Sequence, residues 1–452
     1  MTEKFDIVVI GGGPGGARAA NRCAQKGANV ALIEKESLGG ICLNRGCIPL
    51  KALLASAHQL LAAKNAEKMG IETESVKPNW QTIQQRKNNL VDKLRKGMTA
   101  SMKAGKAKLI QGRAIVTEPN KIQVKTDEGQ INLEAEKIIL ATGSAPLQLP
   151  QIPFDGQTVI SSNEALSLPD LPPSLIIIGG GVIGCEMACL YAAMGTQVTV
   201  IEALEQLIPM EDQWVGRLLK REFEKLGIKV ITKQKGSSLL KNNNKAKLQL
   251  DNGQQIEAQK VLVAVGRKGV CDKETIQNLN LETNGSEIKV NEKLQTSAPN
   301  VFALGDVIGT TYLAHGATYE AEIAAVNATG GNKTITDYSI IPRTVYTFPE
   351  IASVGKTMND CKAEEIDISV GKAFFRANGR AVAQDEIVGE VRALRNKTDD
   401  KIIGITMVGQ IVTELASLAT TIIQNGKVTN ISFPHPTFSE TLQEAVENTR
   451  LK

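Results

Sequence analysis

The 452-residue sequence predicts an α/β protein: two Rossmann-like dinucleotide-binding domains followed by a C-terminal α+β domain. Three observations predict it. Near the N-terminus an apolar β-branched run, a glycine-rich turn, a helical stretch and a second apolar run ending in an acid follow one another. The same unit recurs from Leu175. Beyond about Asp337 strands and helices alternate without a glycine motif.

Composition narrows the class. Apolar (42%) and charged (22%) fractions are those of an ordinary globular protein, so the chain can bury several cores. A net charge of +4 is too small to imply nucleic acid, and 4% aromatics leave little surface for stacking bases. No apolar run reads as a membrane span. Met1 to Asp6 leads directly into a strand, without a signal peptide, so the cytoplasm is the expected location. Seven cysteines without secretory spacing fit a reducing compartment, where a disulfide is usually catalytic or redox-sensing. No Cys/His cluster has zinc spacing, and no metal is expected.

Residues 5–10 suit a buried parallel strand, with a helix expected from Ala17 to about Lys26 and a strand from Asn29 to Ile33. Gly11, Gly13 and Gly16 fill a G-x-G-x-x-G pattern. They permit a tight turn, close approach of a pyrophosphate and close helix–strand packing. The phosphates would sit on the helix N-terminus. Glu34 would accept hydrogen bonds from ribose hydroxyls.

The loop Gly39–Lys51 follows, with Cys42 and Cys47 separated by four residues. Gly46 lets the chain fold back, and Pro49 suits the first turn of a helix. A helix N-terminus after Cys47 would favour a thiolate there. The plain alternatives are a structural disulfide or two core thiols. The dinucleotide motif just before the loop favours a dithiol that cycles, because a bound redox cofactor could exchange electrons with it. Cys23, Cys185, Cys189, Cys271 and Cys361 read as isolated reduced thiols.

Leu53, Leu54, Ala57, Leu60 and Leu61 recur at helical spacing, and His58 lies off that stripe as a solvated side chain. Residues 80–104 predict a second helix with a basic, solvated face. Strands are expected from about Leu109 to Leu140. They lead to Ala141-Thr142-Gly143-Ser144, a turn able to close over a cofactor. Six prolines between 146 and 173 mark a passage to a new domain.

In the second unit Gly179, Gly181 and Gly184 repeat the spacing, and a strand from Gln197 ends at Glu202. Two fingerprints imply two dinucleotides. Glu202 would bond a free 2′-hydroxyl and repel a 2′-phosphate, and the next basic residue is Arg217, so NAD is preferred over NADP. The first site, beside the cysteines in sequence, suits FAD. Further strands end at Gly266-Arg267, and a strand at 301–306 ends in Asp306, placed for a polyol chain. A helix from Leu313-Ala314-His315 would turn its N-terminus to a reduced flavin, with His315 a partly buried, satisfied side chain. In the last domain His435 is a suitable base near neutral pH, and Glu440 could orient it.

Together, Cys42-Leu-Asn-Arg-Gly-Cys47-Ile-Pro, the second fingerprint ending in Glu186, Leu304-Gly305-Asp306 and His435-Pro-Thr-Phe-Ser-Glu440 resemble the class I pyridine-nucleotide–disulfide oxidoreductases. The resemblance spans essentially the whole chain and is strongest to the branch that oxidises dihydrolipoamide. It implies an FAD-binding domain with the redox disulfide (1–146), an NAD-binding domain (147–267), a central segment completing the FAD site (268–337) and a dimerisation domain (338–452). It implies a homodimer in which His435 serves the partner's site. Cys47 would be the sulfur nearest the flavin and Cys42 the interchange thiol. Lys51 and Glu186 would pair beside the flavin ring, Gly305 and Asp306 would bind FAD, and His435–Pro436 would be cis. The expected reaction is oxidation of a dihydrolipoamide carried on a protein of a 2-oxoacid dehydrogenase or glycine cleavage system, with NAD as acceptor. Leu50 and Ile41 stand where the family often carries hydroxyls, and Thr310-Thr311-Tyr312 and Gly316 to Tyr319 depart from its usual sequence. These departures keep open an NADH-dependent reductase of another low-molecular-weight disulfide.

Overall fold

The structure, a computed structural model, describes residues 2–242, 245–335, 337–428 and 431–450. The first domain is built on β1 (Glu3–Ile10), buried from Ile7 onward, and β2 (Val30–Glu34), buried throughout. Their β-branched side chains suit a parallel strand covered on both faces. Between them α1 (Pro14–Gln25) starts with proline in its first turn, where no backbone donor is lost. Then come α2 (Gly40–Arg45), α3 (Cys47–Lys64) and α4 (Trp80–Ala104), the last capped by the Asn79 side chain, which accepts from the Thr82 N–H. The strands β3 (Lys108–Gln111), β4 (Arg113–Glu118), β5 (Lys121–Thr126) and β6 (Gly129–Leu140) complete a sheet of order β3-β2-β1-β6-β5-β4.

The stretch Gly39–Lys51, read from sequence as a loop, is helical on both sides of Gly46. Gly39 turns the chain at φ +97°, and six residues then wind into α2. Gly46 has an ordinary φ of −146°; a Cβ there would lie 3.0 Å from the Ile41 carbonyl oxygen, a tight approach that glycine avoids. Gly40–Lys64 as a whole is long and apolar enough to cross a membrane, contrary to the sequence reading. It is broken at Gly46, and Leu50, Leu53, Leu54, Ala57 and Leu60 pack into a core.

A short strand β7 (Ser144–Pro146) leads into the second domain. This holds β8 (Val159–Ile160), α5 (Ser162–Ala165), β9 (Ser174–Ile178), α6 (Val182–Ala193), β10 (Gln197–Ile201), α7 (Gln213–Lys225) and β11 (Lys229–Ile231). An antiparallel trio, β12 (Gly236–Asn242), β13 (Lys245–Leu250) and β14 (Gln255–Ala258), precedes β15 (Lys260–Val263). The main sheet has order β11-β10-β9-β15-β8 and repeats the parallel β-α-β start of the first domain. Strand β16 (Arg267–Gly269) pairs with β7 and carries the chain back.

After α8 (Lys273–Asn278), β17 (Thr283–Asn284) and β18 (Glu287–Ile288), the strand β19 (Val301–Ala303) pairs in parallel with β6 of the first sheet. Helix α9 (Ala314–Ala328) packs on α1, where Glu322 accepts from Arg18 and Arg22. The last domain contains β20 (Arg343–Val345), β21 (Glu350–Gly355), α10 (Met358–Ala363), β22 (Ile368–Phe374), α11 (Gly379–Ala383), β23 (Glu390–Asn396), β24 (Ile402–Gly409), α12 (Val412–Asn425) and α13 (Ser439–Asn448). Its sheet has order β20-β21-β24-β23-β22, antiparallel throughout. Helices α12 and α13 cover it, burying Phe375, Met407, Leu442 and Val446.

Candidate active site

Three distant segments meet at the cysteines. Asn44 steadies α2 by donating from Nδ2 to the carbonyls of Leu38 (3.0 Å) and Gly40 (2.9 Å). Cys42 lies in α2, and Cys47 is the first residue of α3. Lys51 sits one turn further along α3 and reaches Glu186 of α6, Nζ to Oε2 2.6 Å. The Glu186 side chain is 3% exposed. Its other oxygen accepts the Tyr346 N–H at 2.9 Å, and the Lys51 ammonium lies 4.3 Å from the Tyr346 ring centroid. A buried carboxylate thus has both oxygens satisfied, as desolvation demands. Tyr346 was not anticipated; no local signal connects it to Glu186, 160 positions earlier, or to the still more distant Lys51.

In the reduced form Cys42 and Cys47 are both half-buried thiols. The hydrogen bond from the Cys42 thiol is the chief cause that lowers Cys47 to about 7, against burial, with the Lys51 charge and the helix-end backbone assisting. The same bond, together with burial, raises Cys42 far above a free thiol. Negative charge therefore collects on Cys47. The pair can hold one proton between two sulfurs and release it near neutral pH.

The two glycine motifs build matching cradles. Gly11 (φ +108°) and Gly179 (φ +111°) lie where a Cβ would come within 2.2 Å of the Ala141 oxygen and 2.4 Å of the Ala264 oxygen. A Cβ at Gly16 or Gly184 would fall 1.9 Å from the carbonyl of Gly11 or Gly179 respectively. Gly13 and Gly181 cap α1 and α6 with extended backbone and no side chain in the way. The acids are also held by the turns they face. Glu34 accepts the N–H groups of Gly12 (2.7 Å) and Glu36 (2.7 Å), and Glu202 those of Gly180 (2.6 Å) and Leu204 (2.7 Å). Each oxygen keeps a second lone pair, so a ribose hydroxyl can still bond there. The backbone contacts aim the carboxylates across the turn.

Around the first cradle, Gly143 (φ +78°) bends the chain, and Thr142 presents a buried hydroxyl with no hydrogen-bond partner among the described residues. Gly266 (φ +124°) occupies the equivalent turn of the second domain. Asp306 follows β19 and accepts from Ser144 Oγ. Arg267 donates to Ser144 Oγ (2.8 Å) and to its carbonyl (3.0 Å), and stands 3.9 Å from Asp306. The Gly305 N–H donates to Glu320 at 2.6 Å; Glu320 is fully buried, and burial pushes its carboxyl up to about 7. Ala314 opens α9, whose first N–H groups have no partner within the helix. The glycine cradle, the orphaned Thr142 hydroxyl and these helix-end donors fit a flavin dinucleotide: anionic phosphates at one helix end and an electron-rich ring at another. The second cradle fits a pyridine nucleotide with a free 2′-hydroxyl.

His435 and Glu440 stand apart from the cysteines. His435 Nδ1 lies 2.9 Å from Glu440 Oε1, and the other Glu440 oxygen accepts the Thr437 N–H at 2.7 Å. The Thr437 N–H, then His435, hold the Glu440 carboxyl below its usual range. The His435 side chain is 80% exposed, and the His435–Pro436 bond is cis. Within the described residues its hydrogen bonding stops at Glu440. The other histidines differ from the sequence reading in setting. His58 is half-buried, with Nε2 3.0 Å from Gln410 Nε2, because α3 packs against the last domain. His315 is exposed, yet its Nε2 bonds the Pro342 carbonyl at 2.7 Å.

A family model described as pyridine nucleotide-disulphide oxidoreductase matches residues 5–321, and that family's dimerisation domain matches 341–446. The dihydrolipoyl dehydrogenase of Bacillus subtilis (strain 168) is 39% identical over 454 residues, covering 98% of each chain. That of Geobacillus stearothermophilus is 35% identical, over 98% of this chain and 95% of its own. Among solved structures, LpdA from Mycobacterium tuberculosis superposes with a TM-score of 0.91 at 25% identity, covering 99% of both chains. The HOCl-induced flavoprotein disulfide reductase RclA from Escherichia coli gives 0.88 at 25% identity, over 99% of this chain and 100% of its own. The chain belongs to the pyridine nucleotide-disulphide oxidoreductase family, flavoenzymes whose cofactors are FAD and NAD.

Proposed function

We propose that this enzyme oxidises dihydrolipoamide carried on a protein, with NAD as final acceptor. The observation that carries the reading is the setting of the thiol pair: Cys42 in α2 and Cys47 at the N-terminus of α3, one turn from the Lys51–Glu186 ion pair. The similarity to dihydrolipoyl dehydrogenases along 98% of the chain supports the substrate class. In the oxidised enzyme one substrate thiolate attacks Cys42 Sγ, breaks the Cys42–Cys47 bond and releases Cys47 as thiolate. The second substrate thiolate attacks the substrate sulfur of the mixed disulfide and displaces Cys42, which takes up a proton. The product is the cyclic disulfide, and two electrons remain on the enzyme dithiol. FAD, when bound, supplies the two-electron relay from that dithiol to NAD. The Lys51 side chain favours the Cys47 thiolate, and Glu186 fixes Lys51. His435, oriented by Glu440, takes the substrate thiol proton. Its exposure suits a base that serves the second subunit of a homodimer through the dimerisation domain.

The test is the steady-state rate of NAD reduction by dihydrolipoamide with FAD-saturated protein, with NADP in parallel. A high rate with NAD alone is expected. A negligible rate, with the flavin still reduced by NADH, overturns the substrate and leaves the second reading. That reading, an NADH-dependent reductase of another small disulfide, draws on the likeness to RclA and on the hydroxyl-free Leu50 and Ile41 beside the cysteines.

A further inference from the structure

We infer that Tyr312 is a positioning residue for the flavin site, acting through a hydrogen bond to Glu287. The inference rests on FAD as cofactor and is independent of the substrate. Tyr312 lies at φ +53°, a region bulky side chains seldom occupy, two residues before α9 begins at Ala314. Its hydroxyl donates to Glu287 Oε1 at 2.8 Å. The same oxygen accepts the Gly269 N–H at 3.1 Å and the Ser286 hydroxyl at 2.8 Å. These donors, Gly269 first, hold the Glu287 carboxyl down at about 2, so it is charged at any working pH.

The segment from Asp306 to Tyr312 is therefore pinned at both ends to one strand. Asp306 is tied through Ser144 to Arg267, and Tyr312 through Glu287 to Gly269, the first and last residues of β16. Gly309 (φ +73°) makes room for the second pin, since a Cβ there would lie 2.4 Å from Glu287 Cγ. Between the pins runs the chain that sets the entry of α9 and aims its free N–H groups. Arg267 also feels the charges of Asp306 and Cys47, so the first pin and the redox thiol share one electrostatic neighbourhood. The latch is not core packing: a cavity of 540 Å³, lined in part by Glu287, Ile308, Gly309 and Tyr312, opens beside it.

The experiment removes one oxygen. Tyr312→Phe keeps the ring and the backbone strain and deletes the donor. Apoprotein titrated with FAD should bind it roughly three- to tenfold more weakly, as for one charge-assisted bond reduced by solvent exposure. The long-wavelength thiolate–flavin absorbance on NADH reduction should change with it. Glu287→Ala should match Tyr312→Phe, Glu287→Gln should recover most of the affinity, and the double variant should be no worse than either single. Wild-type FAD affinity and spectrum in Tyr312→Phe and Glu287→Ala overturn the inference, even if thermal stability falls. Additive effects in the double variant overturn it too. Lipoamide turnover is not read, so these outcomes are separate from those that test the substrate.

Discussion

Replacing Cys42 by Ala or Ser separates the two causes that hold Cys47 as a thiolate. In the dithiol the Cys42 thiol is the leading contributor, and Lys51 is secondary. Alanine removes the donor; serine keeps one. At pH 7 a thiol titrating at about 7 is half ionised. One returned to ~8.5 is about 3% ionised, a roughly 16-fold loss of thiolate. Burial, which opposes ionisation, stays in place, so Cys42→Ala should reach at least that loss unless Lys51 compensates. Cys42→Ser should stay near the native titration. Alkylation rate of Cys47 against pH, with the other cysteines silent because burial raises them, reads the midpoint directly. Equal midpoints near 7 for the alanine variant and the reduced wild type would refute the reasoning and assign the thiolate to Lys51 and the helix end.

Removing Lys51 strands a carboxylate that is 3% exposed, so Lys51→Ala should lose roughly 3 kcal/mol in urea denaturation, and Lys51→Ala with Glu186→Ala should lose less. His435→Gln should cut dihydrolipoamide turnover roughly 10²- to 10⁴-fold while NADH still reduces the flavin at the native rate; turnover within a factor of about two excludes it as the base. Glu320 gives a pH signature. Its folded carboxyl is raised to about 7 by burial, above the ~4.3 of an unfolded glutamate, so the folded state binds the extra proton in between. Its contribution is full below ~4.3 and is lost as pH climbs through about 7. Glu320→Gln should therefore gain melting temperature on wild type between about pH 5 and about pH 8 at equal FAD loading; parallel curves would refute the assignment.

Much of this was legible in the chain itself. Local rules suffice where function depends on backbone shape. Gly11 and Gly179 are needed because a Cβ would strike a carbonyl across the turn, and that spacing is visible in one dimension. The order strand, glycines, helix, strand, acid likewise announces the parallel units, because a βαβ unit is contiguous. The departure at Thr310-Thr311-Tyr312 could be seen, but not its consequence.

What only the tertiary structure decided involves groups far apart in sequence. Tyr346 meets Lys51 and Glu186 because β20, α3 and α6 converge, and Arg267 meets Ser144 and Asp306 because β16 returns to β7. The carboxylates of Glu34 and Glu202 turn out to be held by backbone N–H groups. The helical form of α2, with Gly46 at its C-terminal end, is likewise seen only in the fold. The polarity of the dithiol, with Cys47 low and Cys42 high, needs the direction of their hydrogen bond and the reach of Lys51. Spacing places two sulfurs within reach of one another; only the folded surroundings decide which of them carries the charge, because that balance is set by the hydrogen bond between them, by burial and by the Lys51 charge one turn along α3.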